Sequence, residues 1–304
     1  MYRIKKFEIR ASEIADYLNE QLVGNDFIIT SPHSIRTYKS SEHSSMEVNR
    51  SRSQILIISD HPVPVDLCTG YIISQNPDLD LAYILREFFS TAPINQIHSS
   101  AMISEEARIG RNVMVGAHTI IGPDVTIGDN TKIFHNVVIN GLVHIGKFCV
   151  IKDGAVIGSE GWGFIDDEDG IPFHPPQLGL ISIEDRVWIG SNSTIERGMI
   201  EETVIHADVK IDDLVHVGAG SHLGQKSKLT AGVVVASHVT IGENVYIAPN
   251  AVIREELNID DDVVIGMGAV VINNLTSGNR YVGNPARLIR KKKRQTDDEK
   301  DTVS

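Results

Sequence analysis

The sequence predicts an all-β chain dominated by a parallel β-helix of hexapeptide repeats, preceded by a small α/β domain. Stepping by six from Ile97 gives an aliphatic at every position through Ile157: Ile103, Ile109, Val115, Ile121, Ile127, Ile133, Ile139, Ile145 and Ile151 lie between. The phase resumes at Ile183, Ile189 and Ile195, slips by four residues, and runs from Ile205 to Val271. The next residue is often glycine, as at Gly110, Gly116, Gly122, Gly128, Gly146 and Gly158. Aromatics make up only 6% of the chain while Ile and Val abound, so a core must come from β-branched aliphatics, which suit stacked strands.

Six is neither a helical nor a heptad period. It describes a short strand and a turn with one aliphatic always inward. Three such faces close a triangular coil, and coils stack at the strand spacing of about 4.8 Å. The phase can be followed through 26 faces, hence between eight and nine coils and a prism roughly 40 Å long. Small residues two before the aliphatic (Ala107, Val113, Thr119, Val125, Thr131, Val137) are expected to fill the same interior. A sandwich of alternating strands would not keep a six-residue phase this long. Function is therefore expected on outer faces or on segments that break the period.

The substantial break is the loop 159–182, and a loop of this length in a repeat array is usually functional. Gly161 and Gly163 flank Trp162 and permit close backbone approach to a ligand, with Phe164 next to them. Ahead of the repeats, residues 1–95 read as the α/β domain. Ser12 is placed to cap a helix through about Leu22, Gln54–Ser59 and Tyr71–Ser74 read as buried strands, and Leu79–Phe89 reads as an amphipathic helix. The β-helix is assigned to 96–289. Residues 290–304 form a charged tail, basic from Arg290 to Arg294 and acidic after it, with a composition that favours disorder.

Composition excludes several classes. A net charge of −12 argues against a nucleic-acid surface. Only Cys68 and Cys149 are present, too few for a disulfide framework. No apolar run has signal-peptide or membrane-spanning length, and the reading is a cytoplasmic protein. No metal site is expected: His216 and His222 are separated by five residues, not the close pair that a metal-dependent β-helix hydratase uses.

The period-breaking residues carry a resemblance. Gly158-Ser159-Glu160-Gly161-Trp162-Gly163-Phe164, then Pro176-Gln177-Leu178-Gly179, then Ile195-Glu196-Arg197-Gly198 and Thr203-Val204-Ile205 resemble the GSDGFGF-like loop, PQLG and IDRGALDDTVI of the UDP-3-O-acylglucosamine N-acyltransferases of lipid A biosynthesis, slip included. The resemblance implies a left-handed helix and a homotrimer with sites in the clefts between chains. It also implies a nucleotide-linked sugar as acceptor and an acyl thioester as donor, with no tightly bound cofactor. Gly161, Trp162, Gly163, Phe164 and Gln177 are then the sugar-side residues. Amine attack on a thioester needs a general base, for which histidine is the usual choice.

The sequence departs from that family in three places. Its catalytic histidine, in a segment resembling LVQIAHNVVIG, aligns with Ala219 of Leu214-Val215-His216-Val217-Gly218-Ala219-Gly220-Ser221-His222-Leu223-Gly224. His222 and His216 flank the gap and are the candidate relocated bases; His174 of the loop is a further one, and loss of catalysis, leaving a binding or structural trimer, is the alternative. His98 and His135 read as structural, and His238 falls one coil on. The uracil-stacking pattern resembling SFLANPKY is replaced by Thr37-Tyr38-Lys39-Ser40-Ser41, where Tyr38 is left to stack. Where the family carries a helical extension, this sequence has Gly283-Asn284-Pro285-Ala286-Arg287, similar to the turn beside the coenzyme in acetyl-CoA-dependent sugar acetyltransferases. Gly283, Asn284, Pro285 and Arg287 are the donor-side candidates, with acyl-CoA favoured and an acyl-carrier protein left open.

Overall fold

The computed structural model describes residues 3–4, 8–39, 54–64, 68–91 and 96–290. Ser40, Ser41 and the tail beyond Arg290 lie outside them. The chain divides into two compact units, Met1–Ile94 and Asn95–Ser304.

In the first unit a sheet orders the strands Leu22–Gly24, Gly70–Ile73, Leu56–Ser59 and Ile35–Tyr38; the last three run parallel. Leu56, Ile57 and Ile58 are fully buried, as a continuous aliphatic run in a parallel strand requires. Helix α1 (Ala11–Leu18) is shorter than the sequence suggested and is not capped by Ser12. The Asp26 carboxylate instead accepts from the Ser12 N–H, and Asn19 turns left-handed at φ 55° to close the helix. The chain past Leu18 is therefore free to form the strand Leu22–Gly24. Helix α2 (Pro77–Phe88) begins two residues before Leu79, because Asn76 caps it and Pro77 suits its first turn.

The second unit is a parallel β-helix. Its first face stacks eight strands from Arg108–Ile109 to Asn258–Ile259. The second face stacks ten, from Met114–Val115 through Val264–Ile265 to Arg280–Val282 and Arg287–Arg290. The third stacks nine, from Met102–Ile103 to Val270–Val271. The register puts like on like: Ile139 on Ile157, Ile157 on Ile195, Ile195 on Val217, Val217 on Val235. These residues are fully buried and form one continuous apolar column.

Each coil must turn sharply three times, and the corners show how. A residue with positive φ recurs three after the inward aliphatic, among them Asn112, His118, Asn130, Asn136, Asn192, Asn244 and Asn250, with Gly154, Gly220 and Gly232 in the same role. Asparagine tolerates this region better than other side chains do, which explains its recurrence there. The small residues inside the corners do more than fill space. Thr131 Oγ1 donates to Gly146 O (2.9 Å) and accepts from Cys149 N (3.1 Å). Thr119, Ser193, Ser221 and Ser227 repeat the arrangement. Each hydroxyl stitches one coil to the next at a point where the strand ladder is interrupted.

Thr131→Val keeps the shape but strands a buried amide, so it is expected to cost about 1–3 kcal/mol of stability. Urea unfolding would read this directly, and a loss below about 0.5 kcal/mol would mean that the hydroxyl only fills space.

Candidate functional site

The two breaks in the repeat meet in space. Strand Val156–Glu160 runs out of the third face into the loop, which carries a small hairpin of Ile165–Asp166 with Pro172–Phe173. The returning segment bonds to the four-residue slip: Leu178 N to Met199 O (2.8 Å) and Gly179 N to Gly198 O (2.9 Å). A Cβ on Gly179 would lie 2.2 Å from Glu201 O, so only glycine passes here. Gln177, expected to face a ligand, is buried at 4% exposure, and its amide donates to Pro175 O. It braces the loop from within. Gly163 lies over that amide.

The loop surface is aromatic. Trp162 is 89% exposed and packs edge-on against Phe164 at 4.9 Å, and Phe164 in turn stacks on His174 at 4.9 Å. His174 Nε2 contacts Gly161 O (3.1 Å) and Nδ1 faces Glu160 (3.7 Å), while Glu160 also accepts from Arg197 (2.9 Å). His174 is thus part of the loop's internal framework.

Gly161 sits on the Ala219 corner: its N–H donates to Arg197 O (3.1 Å), and a Cβ added to it would lie 3.0 Å from Ala219 Cβ and 3.5 Å from Glu196 Oε2. Ala219 is buried at 6%. The corner amides are already engaged, Gly218 N with Val235 O and Gly220 N with Thr203 Oγ1.

The two candidate bases part company here. His216 lies on the third face, in register with Thr194, and its Nε2 is 3.8 Å from Glu196 Oε2. His222 lies on the first face, between Val204 and Thr240. It lines a separate cleft of about 340 Å³ with Glu184, His206, Gln225 and Glu243. His238 stands one coil above the corner, its ring against Gly220. Tyr38, in the first unit, ends the strand Ile35–Tyr38, and its ring tilts against His61 at 4.9 Å. Cys149 offers no alternative nucleophile, because burial pushes its thiol up to about 11. The Gly283–Arg287 turn caps the third face: Val270 N donates to Gly283 O (3.1 Å) and Ala286 N to Val270 O (2.8 Å), with Arg287 exposed.

Glu196 is the residue that sequence reasoning passed over. It was visible only as a member of a motif, and nothing in the six-residue phase says that its side chain turns inward beside His216. Burial pushes its carboxyl above the ordinary Glu range, while His216 and the Ala219 amide pull it back.

The repeats match a sequence profile described as bacterial transferase hexapeptide (six repeats) at residues 106–141, 220–255 and 238–273, and one for the hexapeptide repeat of succinyl-transferase at 180–200. Among solved structures, LpxA from Acinetobacter baumannii superposes with a TM-score of 0.56 at 27% identity, covering 64% of this chain and 73% of that one. A UDP-N-acetylglucosamine acyltransferase from Campylobacter jejuni gives 0.58 at 21% identity, over 64% and 74%, a likeness of fold alone. The second unit is a left-handed β-helix of hexapeptide repeats. Relatives that this chain matches in sequence are named UDP-3-O-acylglucosamine N-acyltransferases. The chain is 39% identical over 161 residues to a probable UDP-3-O-acylglucosamine N-acyltransferase 2 (mitochondrial) of Arabidopsis thaliana, covering 53% of each chain. It is 35% identical over 144 residues to the Bordetella pertussis enzyme, covering 46% of this chain and 40% of that one. The match thus spans about half the length, or less, of these curated relatives. Among the described residues, no helix is long and apolar enough to cross a membrane.

A carboxyl raised by the fold favours the protonated state. Its contribution to stability is full below the unfolded value of about 4.3 and is lost as pH rises through the raised value. Glu196→Gln is neutral at every pH, so its melting temperature relative to wild type is expected to climb as pH rises from about 4.3 through the raised value. A difference that stays constant across that range would contradict the burial described here.

Proposed function

We propose that this protein is an acyltransferase that moves an acyl group from a thioester to the amino group of a nucleotide-linked sugar, in lipid A-type or surface polysaccharide synthesis in the cytoplasm. One observation carries the reading: the loop glycine Gly161 is seated at the Ala219 corner, beside a half-exposed histidine, His216, on the face where the loop emerges. The aromatic surface of Trp162 and Phe164 suits a sugar and its nucleotide on the acceptor side. The Gly283–Arg287 turn caps the same face above Val270, four layers beyond His216, roughly 19 Å at the strand spacing. A thioester laid along that face reaches the corner from the turn. The coenzyme-side resemblance of this turn favours a short acyl-CoA over a carrier protein.

His216 is the base in this reading, because it stands by the loop, whereas His222 faces a different side of the prism. The amine lone pair attacks the thioester carbonyl, forming the C–N bond. The nitrogen's proton passes to His216, the C–S bond breaks, and the thiolate leaves with that proton, restoring neutral His216.

The third face also supports a homotrimer. Its outward row is Ile120, Val138, Val156, Thr194, His216, Val234, Val252 and Val270. Two aliphatic strips flanking Thr194 and His216 are the kind of surface that another copy covers. Light scattering is expected to give three times the chain mass, and a monomer would remove this part of the reading.

The activity is tested with acetyl-CoA, longer acyl-CoA and acyl-carrier protein against UDP- and dTDP-linked amino sugars. At least one pair is expected to release thiol, and His216→Ala to lose on the order of 10²–10⁴ in rate. The burial of Ala219 also fits a second reading, a non-catalytic binding protein. Donor binding without turnover across the whole panel would select it.

A further inference from the structure

We propose that Glu196 is a positioning residue that forms, with His216, an acid–base pair relocated from the Ala219 corner onto the adjacent strands of the third face. The inference rests on the acyl-transfer reading above and assigns a role that this reading leaves open. Glu196 and His216 belong to neighbouring strands, Thr194–Arg197 and His216–Val217. The Glu196 side chain is 16% exposed and that of His216 37%, so a sheltered carboxylate backs a ring that still meets solvent.

The contact is directional. His216 Nε2 faces Glu196 Oε2 at 3.8 Å, which leaves Nδ1 turned away from the carboxylate. That spacing is an ion-pair distance, of the kind that tightens when a proton arrives on the ring. The acceptor's ammonium proton would enter at Nδ1. The Glu196 carboxylate would hold the resulting imidazolium until the departing thiolate takes the proton back, with no net change in the pair.

Among the described residues, His216 is the charged partner of Glu196. Arg197, next along the chain, gives its guanidinium to Glu160, and His174 also faces Glu160. The Ala219 amide is the other group that acts on the Glu196 carboxylate. Gly161 packs against the same corner, where a Cβ added to it would lie 3.0 Å from Ala219 Cβ and 3.5 Å from Glu196 Oε2, so the loop helps to shelter the carboxylate.

Three variants in the acyl-CoA and UDP-amino sugar assay, together with ¹⁵N-histidine spectra of the free protein, test the pair. Glu196→Gln is expected to lower kcat by on the order of 10²-fold with KM little changed, and to shift the acid limb of kcat/KM to lower pH. Glu196→Asp should recover most of that loss. In the spectra, His216 should carry its proton on Nε2 in the wild type and lose that preference in Glu196→Gln. If His216→Ala is inactive but Glu196→Gln keeps both its rate and its tautomer, the pair is overturned while the acyl-transfer reading stands. If His216→Ala turns over at the wild-type rate, that base assignment fails and takes the pair with it.

Discussion

A parallel coil only six residues to a side can close only if the backbone turns hard three times per coil without stranding its polar groups. The structure meets that constraint with two devices repeated along the stack. One is a left-handed residue at the corner, most cheaply asparagine or glycine. The other is a buried Ser or Thr hydroxyl that bonds corner carbonyls and amides of adjacent coils. With those in place the aliphatic column stacks in register, and the outer faces are free to vary.

That freedom explains where the chemistry can sit. A regular coil exposes short strands and tight corners and gives no enclosure. The loop 159–182 and the four-residue slip supply it jointly, because the Leu178–Gly179 segment bonds to Gly198 and Met199. Thr203 ties the slip to the corner, donating to Glu196 O and accepting from Gly220 N. The loop, the slip and the corner around Ala219 are one construction, and Glu196 is largely sheltered where they meet.

Ala219 changes meaning in this setting. In the sequence it is an absence, a position where a histidine is expected. In the fold it is a contact surface for Gly161. The two flanking histidines, equivalent in the sequence at three residues either side, are separated by the corner itself. One faces the loop and the other faces a cleft with Glu184 and His206.

The six-residue phase alone determined the β-helix, its inward column and the two places where the period breaks, because each inward aliphatic answers to a purely local rule. The Asn positions and the interior Ser and Thr were equally present in that phase, but their bonding role appears only when a corner is seen to lack partners. The end of α1 was hidden for a similar reason: Asp26, the group that fixes its start, is remote in sequence from Ser12. Gln177 as an internal brace, the separation of His216 from His222, and the burial of Glu196 were decided by tertiary structure alone. Each depends on what a loop of irregular backbone packs against once the coils have stacked, and no periodic signal encodes that.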